Sequence, residues 1–138
     1  MADTINFELV SPERLLVSEE VDSITLPGSG GDMTILGNHA PVMTTLRPGV
    51  LAVTKAGGSR DEFVVFGGFA DVTVNGCTVL AEDARPRGEM SREDFQSRID
   101  NAQREADEAS QSDDQERRTR AEEFLGQLTT LGETVLPA

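Results

Sequence analysis

A flattened β-sandwich followed by a C-terminal helical hairpin, mainly β plus α, is the fold class this sequence predicts, on three observations. From Ile5 to Ala81 apolar residues recur with a period of two, in short runs cut by Gly, Pro and Asn turns. From Ser91 the period lengthens to that of a helix. Between the two patterns Arg85-Pro86-Arg87-Gly88 mixes proline, glycine and charge with no apolar period, as a linker does. The expected organisation is a β domain at residues 1–84, a linker at 85–90 and a two-helix unit at 91–138.

Ile5, Phe7 and Leu9 alternate with Asn6, Glu8 and Val10 in the first strand, which Ser11-Pro12-Glu13 ends. Leu15 to Val17 and Val21 to Leu26 resume β character, and Pro27-Gly28 turns the chain. Met33 with Ile35, Val42 to Leu46, and Val50 to Val53 read as three further short strands. Arg47-Pro48-Gly49-Val50 has Pro and Gly at the central positions of a type II turn. Lys55 to Arg60 is a hairpin loop, and Phe63 to Phe66 is an apolar run of strand length. Gly67-Gly68, set between Phe66 and Phe69, predicts a sharp bend or the close approach of another backbone. Asn75-Gly76 between alternating runs predicts a two-residue type I′ hairpin.

In the C-terminal unit Ser91 caps a helix, with Asp94 three residues on as in a capping box. Phe95, Ile99, Ala102, Ala106 and Ala109 form its apolar stripe, and Ser110-Gln111-Ser112 breaks it. A second helix carries Ala121, Phe124, Leu125, Leu128 and Leu131 on one face and ends at Gly132 and Pro137. Three of the five stripe positions on the first helix are alanine, so it buries little surface and depends on its neighbours.

At 138 residues the chain fits one compact domain with an appendage. Its net charge of -13 repels nucleic acid and anionic lipid, which excludes direct binding to either. Cys77 is the only cysteine, so an intramolecular disulfide and a cysteine-based zinc site are ruled out. The N-terminal MADTINFELV lacks a basic region followed by an apolar core, and no run reaches the roughly 18 apolar residues of a membrane span. A cytosolic chain, or one held to a membrane only through a partner, is expected.

Chemistry finds little purchase. His39, in a turn before Ala40-Pro41, has no nucleophile in its vicinity, and Cys77 reads as a small core residue. Gly28-Ser29-Gly30-Gly31 lacks the Gly-Lys-Ser/Thr ending of a phosphate loop and opens no helix, so it reads as a hairpin turn. No ligand-spaced metal cluster is present, and no cofactor is expected. The residues alone indicate a binding or structural protein: a sandwich presenting a stiff loop over Gly28–Gly49, plus a helical arm.

Several short motifs then fall together: Ser11-Pro12-Glu13, Gly31-Asp32 before Ile35, His39-Ala40-Pro41, Leu46-Arg47-Pro48-Gly49, Gly67-Gly68-Phe69 before Asp71-Val72, and Thr78-Val79-Leu80-Ala81 before Asp83-Ala84. In this order and spacing the chain resembles the epsilon subunits of F-type ATP synthases, nearly end to end. The resemblance implies a non-catalytic central-stalk subunit bound to the gamma subunit and the c-ring, at the cytoplasmic face of a bacterial inner membrane and reaching the membrane only through partners. It places Asp32, with Gly31, against polar loops of the c-ring, and His39, Pro41 and Gly68 in the c-ring and gamma interface. It also implies a regulatory arm that contacts the alpha/beta catalytic head through basic residues of the second helix, here Arg117, Arg118 and Arg120, with Phe124 beside them. Their short supply predicts a weak arm. Some members bind ATP on this hairpin through Ile/Leu-Asp-x-x-Arg-Ala; Ile99-Asp100 begins that motif, but Gln103 and Arg104 replace its Arg-Ala, so ATP binding is not carried over. The competing reading is a free-standing β-sandwich adaptor.

Overall fold

A computed structural model describes residues 4–136, in two compact units divided between Arg87 and Gly88. Among the described residues the first unit holds eight strands: β1 (Ile5–Ser11), β2 (Arg14–Val21), β3 (Ser23–Gly28), β4 (Gly31–Leu36), β5 (Val42–Thr54), β6 (Arg60–Thr73), β7 (Gly76–Ala81) and β8 (Ala84–Pro86). Their order is β2-β1-β7-β6-β5-β3-β4, with β8 paired to the first half of β6. All ladders are antiparallel except β1 with β7, parallel from Asn6↔Gly76 to Val10↔Leu80. Gly76 permits that pairing, because a Cβ there would lie 2.5 Å from the Asn6 carbonyl oxygen.

One apolar cluster draws on every strand, from Phe7 and Leu9 through Ile24, Ile35 and Leu51 to Val79 and Ala84. A sheet can enclose a single core this way only by folding onto itself, and β5 and β6 are the strands long enough to serve both layers. The side-chain parity marks the corner. In β6 the core takes Phe63 and Val65, then Ala70 and Val72; in β5 it takes Leu51 and Val53 but Leu46 on the near side. Since one step along a strand exchanges its faces, the inward-facing parity changes between these sets in both strands together, while the β5–β6 register is the same on either side. The change falls at Arg47 and Gly67, the one pair of positions left out between Leu46↔Gly68 and Pro48↔Phe66.

Gly68 has φ +134, and a Cβ on it would stand 2.1 Å from the Leu80 carbonyl oxygen. The close backbone approach expected at this glycine pair is therefore present. Gly67 has φ +108, and its carbonyl accepts the Glu82 N–H at 3.1 Å, so the bend is tied to the chain between β7 and β8. Lys55 links the layers at the far end, reaching Asp61 at 2.7 Å and Glu19 of β2 at 3.2 Å. The bond to Asp61, then that to Glu19, raises its pKa.

Several sequence expectations are corrected. Arg47–Val50 is no turn: Pro48 and Gly49 lie inside the thirteen-residue β5, where Gly49 leaves room for Pro27, whose Cβ would be 2.5 Å from a Cβ at 49. The runs taken as two short strands are thus one. Pro27 and Gly28 likewise belong to β3, and the chain reverses at Ser29-Gly30. The hairpin before β7 turns on Val74-Asn75 with Thr73↔Gly76 as its last pair, and neither turn residue has positive φ, so it is not type I′. Arg85 and Pro86, expected in the linker, continue a strand from Ala84 that pairs with Phe63–Val65 of β6, which carries the β unit on to Arg87.

The second unit contains α1 (Arg92–Ala109) and α2 (Gln115–Val135), preceded by a short 3-10 turn at Arg87–Glu89. Ser91 accepts the Asp94 N–H at 3.1 Å while Asp94 accepts the Ser91 N–H at 3.3 Å, the capping box expected. Asp114 caps α2 by accepting from Glu116 and Arg117. Phe95, Ala102 and Ala109 are buried on α1, and Ala121, Leu128, Leu131, Gly132 and Val135 on α2. Gly132 does not end its helix; it lies where Phe95 and Ile99 pack, with Phe95 Cδ1 3.5 Å from its absent Cβ. Phe124, placed on the apolar face from its spacing, is 39% exposed. Pro137 lies outside the described residues.

Gly68→Val is expected to destabilise the β unit by about 3 kcal/mol or more, since a β-branched residue cannot hold this φ and would strike the β7 backbone. Chemical denaturation of the purified chain, with the midpoint compared to the native one, checks this.

Candidate docking surfaces

The β3–β4 turn is built as a rigid tip. Gly28 pairs with Gly31, and Gly31 takes φ +135 with open space about it, so its conformation, not crowding, calls for glycine. Ser29 donates its N–H to the Thr45 carbonyl at 2.9 Å and receives the Thr45 hydroxyl at 2.8 Å. Asp32, opposite Pro27, projects an exposed carboxylate that Arg47 of β5 meets: Nη2 donates to Oδ1 at 2.6 Å, while Nη1 donates to the Gly28 carbonyl.

His39 and Pro41 lie in the connection from β4 to β5. The His39 N–H bonds the Leu36 carbonyl at 3.2 Å, closing a turn in which Asn38 takes φ +66. His39 Nδ1–H donates to the Ala40 carbonyl at 2.7 Å, which fixes the ring against its own backbone. This connection leaves from the end of β4 remote from Gly31 and Asp32, about 17 Å along the strand at ~3.3 Å per residue. Gly31 and Asp32 therefore form one cluster, and His39 and Pro41 another.

A third surface was not anticipated from the sequence. The register aligns Leu15, Val10, Leu80, Phe69 and Thr45 in one row across β2, β1, β7, β6 and β5. Met43, two residues from Thr45, extends it. Leu15, Met43, Phe69 and Leu80 are all exposed. A groove of about 830 Å³ runs along this outer face, lined by Val10, Met43, Phe69 and Leu80 and reaching Ser11, Pro12 and Gly68. Its sequence signal is β7 itself, where Cys77, Val79 and Ala81 point into the core while Leu80, on the opposite parity, is apolar as well. Gly68 sits at the groove as a packing glycine that brings β6 against β7.

On the hairpin, two of the three clustered basic residues, Arg117 and Arg118, are engaged within the unit. Arg117 bonds Glu105 at 2.8 Å and lies 3.8 Å from Glu108, both on α1; Arg118 reaches the Ser112 carbonyl and Gln115. Arg120 and Phe124 are exposed. Ile99 lines a cleft of about 450 Å³ with Phe95, Gly132 and Leu136. Asp100 accepts from Gln96 at 2.8 Å and Arg104 donates to Asn101 at 3.0 Å, so both are tied to their own helix surface.

Cys77, the only thiol, is buried, and burial, reinforced by Asp71, pushes its pKa up to about 12. It is expected to resist thiol reagents at neutral pH in the folded chain and to react on unfolding. A thiol raised in the folded state also lowers stability as pH climbs from about 9 toward 12, where only the unfolded chain ionises it. A labelling time course with and without denaturant, together with melting points on either side of pH 9, checks both. Among the described residues no three His, Cys, Asp or Glu side chains are grouped to hold a metal, and no helix is long and apolar enough to cross a membrane.

Residues 4–87 match the family described as ATP synthase, Delta/Epsilon chain, beta-sandwich domain. The whole chain is 55% identical to the ATP synthase epsilon chain of Chelativorans sp. (strain BNC1) and 51% to that of Mesorhizobium japonicum, in each case over 138 residues and all of both chains. Among solved structures it is similar to a chain of the Euglena gracilis mitochondrial ATP synthase OSCP/F1/c-ring assembly, with TM-score 0.73 and 27% identity over 96% of this chain and 82% of that one. The fold also matches a chain of the Tetrahymena thermophila mitochondrial central stalk and c-ring, with TM-score 0.65 and 16% identity over 94% and 96% of the two chains. With its sandwich and its hairpin both matched at full length, the chain belongs to the delta/epsilon family of ATP synthase, as an epsilon chain.

Proposed function

We propose that this epsilon chain works as a rotor subunit that couples c-ring rotation to ATP synthesis in the catalytic head, without a catalytic site of its own. The observation that carries the reading is the bare apolar row of Leu15, Val10, Leu80, Phe69 and Met43, which a chain acting alone would gain by covering. In this reading the row docks on the gamma subunit. The polar β3–β4 tip, with Gly31 and Asp32, meets the c-ring, and His39 and Pro41 supply a second contact at the other end of β4. Net charge of -13 keeps the chain off anionic lipid, so its hold on the cytoplasmic face of a bacterial inner membrane is peripheral and passes through those partners. His39, bonded to its own backbone, and the buried Cys77 offer no activated nucleophile.

A pull-down from solubilised membranes tests the assignment. Recovery of gamma, c-ring and catalytic-head subunits is expected, and recovery of none of them would sink it. Phe69→Glu, which places a charge in the apolar row, should abolish retention of gamma, whereas Asp32→Lys should impair coupled proton pumping while shifting the melting temperature by less than about 3 °C.

The hairpin is proposed to be a weak brake on ATP hydrolysis that binds no ATP. Arg117 and Arg118 are already engaged with Glu105, Ser112 and Gln115, which leaves Arg120 and Phe124 as outward contacts. Each exposed ion pair contributes at most ~1 kcal/mol. Deleting residues 89–138 is expected to change ATPase activity of the assembled enzyme by less than about twofold; activation of several-fold would show that the arm inhibits.

A further inference from the structure

We infer that Arg47 is the positioning residue of the β3–β4 tip, holding the Asp32 carboxylate as a fixed, charge-compensated acceptor for a polar, donor-bearing loop of a partner protein. The inference rests on the reading of that tip as a docking surface. Four features lead to it. Arg47 comes from the corner of β5, opposite Gly67, at a position left out of the β5–β6 register, so its backbone is placed by the bend of the sheet. Its guanidinium divides between two acceptors on different strands, the Gly28 carbonyl of β3 and Asp32 Oδ1 of β4. Pro27, which faces Asp32 in the β3–β4 ladder, packs on Gly49 two residues beyond Arg47. The Asp32 side chain nonetheless remains 66% exposed against 31% for Arg47, so the carboxylate faces outward and the cation stands behind it.

An ion pair this exposed contributes little to folding. Its effect is on presentation: a carboxylate at a turn otherwise samples several rotamers, and a partner must pay the entropy of choosing one. The planar fork of arginine suits two acceptors at once, which a lysine ammonium on a flexible stem does not reproduce. Because Arg47 already offsets the charge, the fitting surface offers hydrogen-bond donors such as amide or backbone N–H groups, and a densely basic patch is not required.

A double-mutant cycle on full-length chains tests this. Asp32→Asn, Arg47→Gln, Arg47→Lys and the Asp32→Asn/Arg47→Gln pair are titrated into membrane vesicles carrying ATP synthase stripped of its epsilon chain. Docking is read as recovery of ATP-driven proton pumping against chain concentration, and the melting temperature of each free chain is recorded. Asp32→Asn and Arg47→Gln are each expected to weaken docking about tenfold, the pair no more than Asp32→Asn alone, and Arg47→Lys to restore only part of the loss. Melting temperatures should stay within about 3 °C of the native value. Additive losses in the pair, or a large fall in the melting temperature of Arg47→Gln, would make Arg47 an independent or merely structural residue and overturn the inference. If Asp32→Asn weakens docking while Arg47→Gln does not, the inference falls and the docking role of the tip stands. If Asp32→Asn docks like the native chain, both fall.

Discussion

The sandwich depends on the contact of two backbones at Gly68, where a Cβ would stand 2.1 Å from the Leu80 carbonyl oxygen. Only a residue without a side chain lets β6 lie that close to β7, and only a residue at ease with φ +134 lets it bend there. The bend exchanges the faces of β6, so that Val65 and Ala70 both reach one core from either side of it. It also sets the neighbouring surfaces. Phe69, the next residue, is turned outward beside Leu80, and Arg47 occupies the unpaired position across from Gly67. The apolar row and the charged tip are consequences of one corner in one pair of strands.

How much of this was legible in the sequence follows from the range of the interactions involved. Alternation located the strands because burial on one face is written residue by residue, as at Ile5, Phe7 and Leu9. The α1 cap was legible for the same reason: Ser91 and Asp94 satisfy each other three residues apart. Arg47–Val50 misled because proline and glycine answer to two different needs. A local turn is one; room for Pro27 from another strand is the other, and nothing nearby distinguishes them. Asn75-Gly76 failed likewise, since Gly76 serves the distant Asn6 and the turn shifts back by one residue. The apolar row was illegible for a further reason: Leu80 and Phe69 look like ordinary members of apolar runs until the register shows which face each occupies.

The helical unit is governed by charge more than by its core. Its stripe is largely alanine on α1, while ten acidic residues between Glu89 and Glu116 face three basic ones. Arg117, reaching across to Glu105 and Glu108, offsets part of that imbalance between the helices, and Arg118 occupies the loop carbonyl of Ser112. The basic cluster that the spacing of Arg117, Arg118 and Arg120 suggested for an outside surface is thus mostly spent inside the unit. Such pairs are screened by salt, so the tightness of the hairpin varies with ionic strength more than that of the sandwich.

The parallel ladder between β1 and β7 has a bearing on synthesis. Beyond β2, Asn6 through Val10 find their second partners only at Gly76 through Leu80, so β1 is seated in the interior of the sheet by nearly the last strand of the unit. Until that later segment leaves the ribosome, Phe7 and Leu9 have only β2 beside them, and a lone two-stranded ribbon is marginal in water. Closure of that ladder must wait for a loop of some seventy residues, an entropic cost that grows slowly with length. Insertion of β1 beside β7 therefore comes late, after the antiparallel strands β3 to β6 are available to pair with one another.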